Sequence, residues 1–298
     1  MRKTTLFKRL ILDEEILILP GSYDAISAKI IEQAGFKATV VGGYAASASI
    51  LGKPDVSLLT LTEMVDRARY IADAVDIPVF ADGDTGHGNV TNTARTVRDF
   101  ERAGAAGLFL EDQVFPKRCG HMEGKQVITA DEMIAKLRAA TDAREDPDFV
   151  IMARTDALAV HGIDEAIDRA NRYMDAGADL VFVEAPVSEQ EMVRINREIK
   201  GPTFASMIEG GKTPRFTAKQ LQAMGFSVVA YGLSMVYAAS WAMRSLAREL
   251  FDTGTTESFM DRMITFNNFN KLVGLDEIRS VEASFYKDMA NSASKKEQ

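Results

Sequence analysis

Short apolar runs recur along the chain, each followed by a small or charged residue and then by a stretch of helical periodicity. Eight such runs stand out, at 16–20, 38–41, 77–81, 107–110, 149–153, 180–183, 202–205 and 227–230. Continuous apolar runs of this length, bounded by turn residues, predict buried strands. Between them the apolar positions fall at helical spacing over 24–34, 62–74, 91–103, 131–143, 164–176, 189–199 and 217–224. Four of these stretches end in a glycine just before the next strand (Gly35, Gly104, Gly177 and Gly225), which is the expected stop signal.

Strands that are apolar on both faces and alternate with helices imply a parallel sheet covered on each side. Eight units of this kind predict an α/β fold, a (β/α)8 TIM-type barrel. A doubly wound open sheet is the alternative, but no G-x-G-x-x-G follows the first strand. After Leu233 the pattern predicts three further helices, at 235–251, 255–266 and 275–289. Their apolar faces need a surface, so they are expected to pack on a neighbouring subunit. The tail, 291–298, is polar and is expected to fray. With no fixed-period repeat and no low-complexity linker, the expectation is one domain over 1–298, with a helical extension from about residue 235.

Composition narrows the class. The 298 residues are 46% hydrophobic and 26% charged, which suits a sizeable core. A formal net charge of −8 argues against nucleic acid or an anionic membrane as partner. An anionic ligand would then need a local cationic cluster or a metal. A single cysteine excludes an internal disulfide and fits a reducing compartment. Asp13, Glu14 and Glu15 interrupt the N-terminal apolar run before it reaches signal-peptide length, and no apolar span is long enough to cross a membrane. The expectation is a cytoplasmic protein.

The densest chemistry lies in 108–125, LFLEDQVFPKRCGHMEGK. A strand ends on Glu111, and the loop after it carries Lys117, Arg118, Cys119, His121, Glu123 and Lys125. A thiol beside two cations should have its thiolate favoured. Gly120 and Gly124 let the loop bend over a ligand. A solvated basic loop is the plain alternative.

Barrel enzymes place their sites at the C-terminal ends of the strands. Those ends carry Ser22 and Asp24, then Gly42, Gly43 and Tyr44, then Asp82 and Asp84, then Glu111 and the Cys119 loop. Continuing round, they carry Arg154 and Asp156, then Glu184, then Ser206 and Glu209, then Tyr231 and Ser234. Convergent carboxylates need neutralising, and a hard divalent cation does so with oxygen ligands, Mg²⁺ using one or two carboxylates plus water and substrate oxygens. Zinc lacks a second ligand pair beside Cys119-x-His121, and GGKT at 210–213 lacks the first glycine of a P-loop, since position 206 is serine.

Taken together, DGDTGHG (82–88), LEDQ with PKRCGH and GK (110–125), MARTDA (152–157), VEAP (183–186) and IEGGKTP (208–214) resemble the isocitrate lyase/phosphoenolpyruvate mutase superfamily. KRCGH is the signature of its lyase branch. LGKPD (51–55) and EGGKTP resemble the 2-alkylmalate lyases, with the 2-methylisocitrate lyases close by. The resemblance runs from about residue 6 to residue 285. It implies a (β/α)8 barrel, a homotetramer with exchanged C-terminal helices, and Mg²⁺ or Mn²⁺. Asp82 then resembles the direct metal ligand, with Asp84, Glu111 and Asp55 as partners of its waters. Gly42, Gly43 and Tyr44 match the loop that holds a substrate carboxylate, and Arg154 matches the arginine on the oxy-carboxylate. Glu184 and His121 match supporting polar residues, His121 among the catalytic ones, and Glu184, Ser206, Arg118 and Gly120 join the expected substrate contacts. Cys119 matches the acid/base, with Lys117 beside it on a gating loop. Tyr44 and a metal-bound water are the candidates for the base. The family usually has serine or threonine at position 42 and asparagine at 206, so Gly42 and Ser206 are departures.

The implied reaction cleaves a 2-hydroxy di- or tricarboxylate of 2-alkylmalate, 2,3-dimethylmalate or 2-methylisocitrate type to a 2-oxo acid, such as pyruvate, and a carboxylate. Oxaloacetate hydrolysis, phosphonate mutation and non-catalytic ligand binding are the rivals.

Overall fold

In the computed structural model, which describes residues 1–294, each of the eight apolar runs is a strand. They are β1 (Leu17–Pro20), β2 (Thr39–Val41), β3 (Val79–Asp82), β4 (Gly107–Glu111), β5 (Val150–Thr155), β6 (Leu180–Val183), β7 (Thr203–Ser206) and β8 (Val228–Tyr231). All pair in parallel, in the order β1-β8-β7-β6-β5-β4-β3-β2. The two ends of that order meet through one parallel bridge, Gly21 with Val40, where Ser22 N donates to Val40 O at 2.8 Å. The result is a nearly closed barrel with a seam between β1 and β2, as the alternation of strands and helices predicts.

Strand alternation decides what lies inside it. Leu17, Leu19, Val40, Phe80, Phe109, Val150, Met152, Leu180, Phe182, Phe204 and Val228 fill the interior as one buried cluster. Phe7 and Ile11, from the helix Lys3–Ile11, join that cluster, and the Phe7 ring lies 5.1 Å from Phe80. The alternate residues, such as Leu108, Leu110, Ile151, Ala153, Val181 and Val183, face outward into a second cluster with Phe100, Leu137 and Tyr173 of the surrounding helices. One step beyond the apolar interior, the same alternation reaches Gly21, Gly42, Asp82, Glu111, Arg154, Glu184, Ser206 and Gly232, in or one residue past β1 to β8 in turn. The charged site residues therefore stand on a ring at the C-terminal end of the barrel.

Helix ends follow the local chemistry. Thr60 and Thr217 close capping boxes with Glu63 and Gln220. The four stop glycines all take positive φ, between 84° and 106°.

Five elements differ from expectation. The helices Lys3–Ile11, Gly43–Leu51 and Leu158–His161 were not predicted. The stretch 255–266 is not one helix: it is a 3-10 turn, Glu257–Arg262, after which Thr265 caps a new helix, Phe266–Leu272, by accepting from Asn268 N. The last helix runs Leu275–Ser294, past the expected end and through part of the tail expected to fray; 295–298 lie outside the described residues.

The chain divides into two compact units, Met1–Ala239 and Ser240–Gln298, and the division falls inside the helix Ser234–Thr253. The first holds the barrel. The second is helical and exposes large apolar side chains, among them Trp241, Phe251, Phe266 and Phe285. Among the described residues no helix is long and apolar enough to cross a membrane.

Candidate active site

At the end of β3 the two oxygens of Asp82 accept from Gly43 N at 2.8 Å and Asp84 N at 2.9 Å. Beside them sits the Lys117 ammonium, 2.8 Å from Asp55 Oδ2 and 2.8 Å from Asp84 Oδ1. Burial alone would lower this lysine's pKa, but Asp84, Glu111, Asp82 and Asp55 push it well above its ordinary value. Burial raises Asp82, against the pull of Lys117. His87 Nε2 lies 3.8 Å from Asp84 Oδ2, and burial holds its ring neutral by lowering its pKa.

Arg154, at the end of β5, is gripped by three carboxylates. Nη1 lies 3.2 Å from Glu111, Nη2 lies 3.1 Å from Glu184, and Nε donates to Asp156 at 3.0 Å. Burial opposes these charges, yet they hold the guanidinium's pKa well above its usual value. Glu184 is lowered despite burial, through Arg154 and His121, whereas burial wins at Glu111 and pushes it well above the carboxylate range. Asp156 also accepts from Lys125 Nζ at 2.7 Å, and that ammonium reaches Gly120 O at 2.5 Å. One carboxylate thus holds both Arg154 and the root of the Cys119 loop. Behind β4 and β5, Asp112 accepts from Thr155 Oγ1, Asp156 N, Tyr173 OH and Arg169 Nη1, at 2.7 to 3.1 Å. This fully buried knot fixes the backbone under Arg154.

The Cys119 loop corrects one expectation. Its neighbours in sequence do not favour a thiolate. Burial pushes the Cys119 thiol up, and Glu184 and Asp55 add to the rise. Lys117 is spent on Asp55 and Asp84 instead, and Arg118 is exposed, donating to Glu123 O at 3.3 Å. Arg118 is therefore the one expected contact on this loop that does not face the barrel mouth. A protonated thiol at neutral pH suits a general acid. Iodoacetamide should accordingly alkylate Cys119 slowly at pH 7, with the rate rising only above the ordinary thiol range near pH 8.5. A rate already at plateau at pH 7.5 would disprove a raised pKa.

His121 accepts from Lys212 N at 3.0 Å through Nδ1, and its Nε2 lies 3.2 Å from Glu184. Lys212 also pairs with Glu123, so the loops 119–125 and 207–213 touch at two points. Gly120 is required by contact: a Cβ there would lie 2.3 Å from Glu184 Cδ and 2.5 Å from Arg154 Nη2. Gly120→Ala should displace the loop and lower kcat/KM by about 10- to 100-fold, the usual range for overpacking of 1–3 kcal/mol. Steady-state kinetics beside a thermal melt would test this; an unchanged kcat/KM would mean that the loop can sit elsewhere.

Between these groups lies a cavity of about 90 Å³, room for a small molecule only. Its polar lining includes Asp55, Asp82, Arg154, Glu184, Cys119 and His121, together with Tyr44 and Ser206. Among the described residues no three His, Cys, Asp or Glu side chains converge tightly enough to cage a metal. A cation taking one or two carboxylates, with water and substrate oxygens completing its shell, does fit. Both oxygens of Glu111 and Oδ1 of Asp84 are buried without a hydrogen-bond donor, although each acid has a cation at ion-pair distance. A hydrated cation beside Asp82 would supply those donors and bring the raised carboxylates down.

The sequence reading placed Asp156 at a strand end and Lys125 on the cysteine loop without giving either a role, and it missed Asp112. Asp112 and Asp156 sit beside expected residues, and Lys125 closes the cysteine loop, but adjacency alone did not reveal their partners.

Comparison with known proteins gives this geometry a setting. A family model described as phosphoenolpyruvate phosphomutase matches residues 7–251. A 2,3-dimethylmalate lyase of Eubacterium barkeri is 48% identical over 96% of this chain and 99% of its own. A chloroplastic carboxyvinyl-carboxyphosphonate phosphorylmutase of Arabidopsis thaliana is also 48% identical, over 95% of this chain and 85% of its own. Two solved structures superpose with a TM-score of 0.90 and cover 95% of this chain. They are an oxaloacetate acetylhydrolase with 3,3-difluorooxalacetate, at 33% identity and 96% of its chain, and a 2,3-dimethylmalate lyase, at 34% and 95%. A phosphonopyruvate hydrolase in complex with oxalate and Mg²⁺ follows at TM-score 0.87 and 30% identity, covering 95% of this chain and 99% of its own. Family and neighbour together point to a divalent metal.

Proposed function

Since the chain belongs to the phosphoenolpyruvate mutase/isocitrate lyase superfamily, we propose that it is a carbon–carbon lyase acting on a 2-hydroxy dicarboxylate of the 2-alkylmalate type. The products are a 2-oxo acid such as pyruvate and a smaller carboxylate. The observation that carries this reading is one cavity lined by the Cys119 thiol, the Arg154 guanidinium and the Asp82 carboxylate.

Arg154 binds the carboxylate next to the hydroxyl-bearing carbon, and the turn at Gly42, Gly43 and Tyr44, which Gly43 N ties to Asp82, borders that carboxylate on the same side. Mg²⁺ is the ion we assign to Asp82, with Asp84, Glu111 and Asp55 around it. When bound it supplies positive charge beside the substrate's hydroxyl and carboxylate oxygens. Tyr44, on the cavity wall, is the chain's own candidate to take the hydroxyl proton, which it does as the phenolate, becoming the neutral phenol. The bond between the hydroxyl-bearing carbon and its neighbour then breaks, leaving a carbonyl on one side and an electron pair on the other. Cys119 delivers its Sγ proton to that carbon as general acid. His121 orients Glu184, and Lys117 neutralises the acid cluster without lining the cavity. Closure of the loop over the site excludes water from the charged intermediate.

The substrate is a small molecule, and the cytoplasm is the site of action we assign. The exposed apolar side chains of 240–286 support a homotetramer with exchanged helices; light scattering should give four times the 32.7 kDa chain mass, and a monomer would remove that assignment.

Oxaloacetate hydrolysis is the second reading, favoured by the fit to the acetylhydrolase structure. One assay separates the possibilities. Protein with Mg²⁺ is offered 2,3-dimethylmalate, 2-ethylmalate, 2-methylisocitrate, oxaloacetate and phosphonopyruvate, with EDTA as control. Release of 2-oxo acid from an alkylmalate, abolished by EDTA and restored by Mg²⁺, supports the lyase. Oxalate from oxaloacetate alone supports the hydrolase. Turnover of the phosphonate alone supports the mutase, and each of the last two results overturns the lyase.

A further inference from the structure

The ring of eight inward positions at the barrel mouth is divided. Four consecutive strands, β3 to β6, present Asp82, Glu111, Arg154 and Glu184. The other four, β7, β8, β1 and β2, present Ser206, Gly232, Gly21 and Gly42. Four glycines line the cavity, and they are glycine for different reasons. A Cβ at Gly43 would press on Asp82 and Lys117 at 3.1 and 3.3 Å, and one at Gly120 would collide with Glu184 and Arg154. At Gly42 and Gly232, among the described residues, nothing outside the immediate chain lies within 4 Å of where a Cβ would stand. Gly42 has φ −97°, open to any residue, and Gly232 does not take positive φ. Neither crowding nor backbone conformation demands glycine at these two places. What the missing side chains leave is room, on a wall completed by Val40, Ile208 and Leu233.

We propose that this neutral sector is a subsite for an alkyl substituent on the substrate's hydroxyl-bearing carbon, with Gly42 and Gly232 setting how large that substituent is. The inference rests on the lyase reading above and deepens it. The hydroxyl-bearing carbon has four substituents. Its carboxylate and hydroxyl belong on the side of Arg154 and Asp82. The carbon that is cleaved away must lie within reach of Cys119. The fourth substituent then points across the mouth, toward the strands without charge. An apolar group gains by leaving water there, while a third carboxylate would meet no cation in that sector.

The test is binding, which needs no turnover. Pyruvate, 2-oxobutanoate and 3-methyl-2-oxobutanoate differ only in the alkyl group in question. Calorimetric titration of each, with Mg²⁺ present, into wild type, Gly42→Ser and Gly232→Ala gives a ratio of affinities for the long and short acids. The wild type should bind the longer acids at least as tightly as pyruvate. Each variant should shift the ratio toward pyruvate by roughly tenfold, the lower end of what a mismatched methylene does in an apolar pocket. A general loss of folding or of metal weakens all three acids together and leaves the ratio alone. An unchanged ratio in both variants, with binding retained, overturns the subsite. If the wild type binds none of the three acids, the lyase reading fails and the subsite fails with it.

Discussion

Replacing Cys119 by serine should lower kcat by about 10²- to 10⁴-fold, the range contributed by a positioned general acid. Serine keeps the size of the side chain and a hydroxyl, but an alcohol gives up its proton far less readily than a thiol. The expected signature is a fall in kcat with little change in affinity, because substrate is held by Arg154 and the backbone of 42–44 rather than by sulfur. Steady-state kinetics on the preferred alkylmalate, beside oxalate binding by calorimetry, would measure both. A serine variant within threefold of wild type in kcat would remove Cys119 from the proton transfer. Raised by burial, the thiol holds its proton through the neutral range. Activity limited by this acid should therefore persist to mildly alkaline pH and decline as the thiol ionises.

Arg154→Met should cost more than activity. The guanidinium is the shared partner of Glu111, Asp156 and Glu184, each buried to within a few per cent of full occlusion. Removing one partner of a buried ion pair typically destabilises by about 3–5 kcal/mol, because the charges left behind have lost their compensation. The pH dependence follows from sign. In the wild type Asp156 and Glu184 are held low despite burial, chiefly by Arg154, so their stabilisation is present above the unfolded carboxylate range and is lost as pH falls through their folded values. In the variant burial prevails, and these acids move above the unfolded range. Their penalty is then full at high pH and is relieved as pH falls and they take up protons. Urea midpoints at pH 8 and pH 5.5 should show a wide gap between variant and wild type at pH 8 and a narrower one at pH 5.5. Equal midpoints at pH 8 would mean that the three carboxylates find other partners.

The barrel was legible because parallel strands between a packed interior and an outer layer of helices must be apolar on both faces, which leaves unbroken runs such as 149–153 in the sequence. Helices without a polar face were not legible. Gly43–Leu51 is GYAASASIL, small residues with little contrast between one side and the other. Over 255–266 the apolar spacing suggested a single helix, but Thr265 competes for the backbone and starts a new one. At the site, residue types on strand ends could be listed from order alone, whereas pairings across the barrel could not. Lys117 stands two residues from Cys119 in sequence and looks like its activator. Its ammonium turns instead to Asp55, sixty-two positions away. The predicted thiolate failed at that step. Asp156 was seen as a strand-end acid, but its division between Arg154 and Lys125 depends on a loop returning to β5, which no local pattern encodes.

The seam between β1 and β2 bears on how the barrel mouth is held together. Every other pair of neighbouring strands shares two or more residues in register, and from β4 to β6 the rim is further tied by Arg154 to its three carboxylates. At the seam one β-bridge joins Gly21 to Val40, and behind it Thr39 Oγ1 donates to Pro20 O at 2.8 Å, beside strand ends that carry only hydrogen or a small hydroxyl. An ion-paired sector and an uncharged one thus share one circle. The rim is cross-tied by charged side chains where a bond is broken, and on the side opposite it is held by backbone and hydroxyl contacts alone. A catalyst built this way is strict about the head of its substrate and forgiving about the side group, so new substrate ranges can arise on the seam side without disturbing the chemistry across from it.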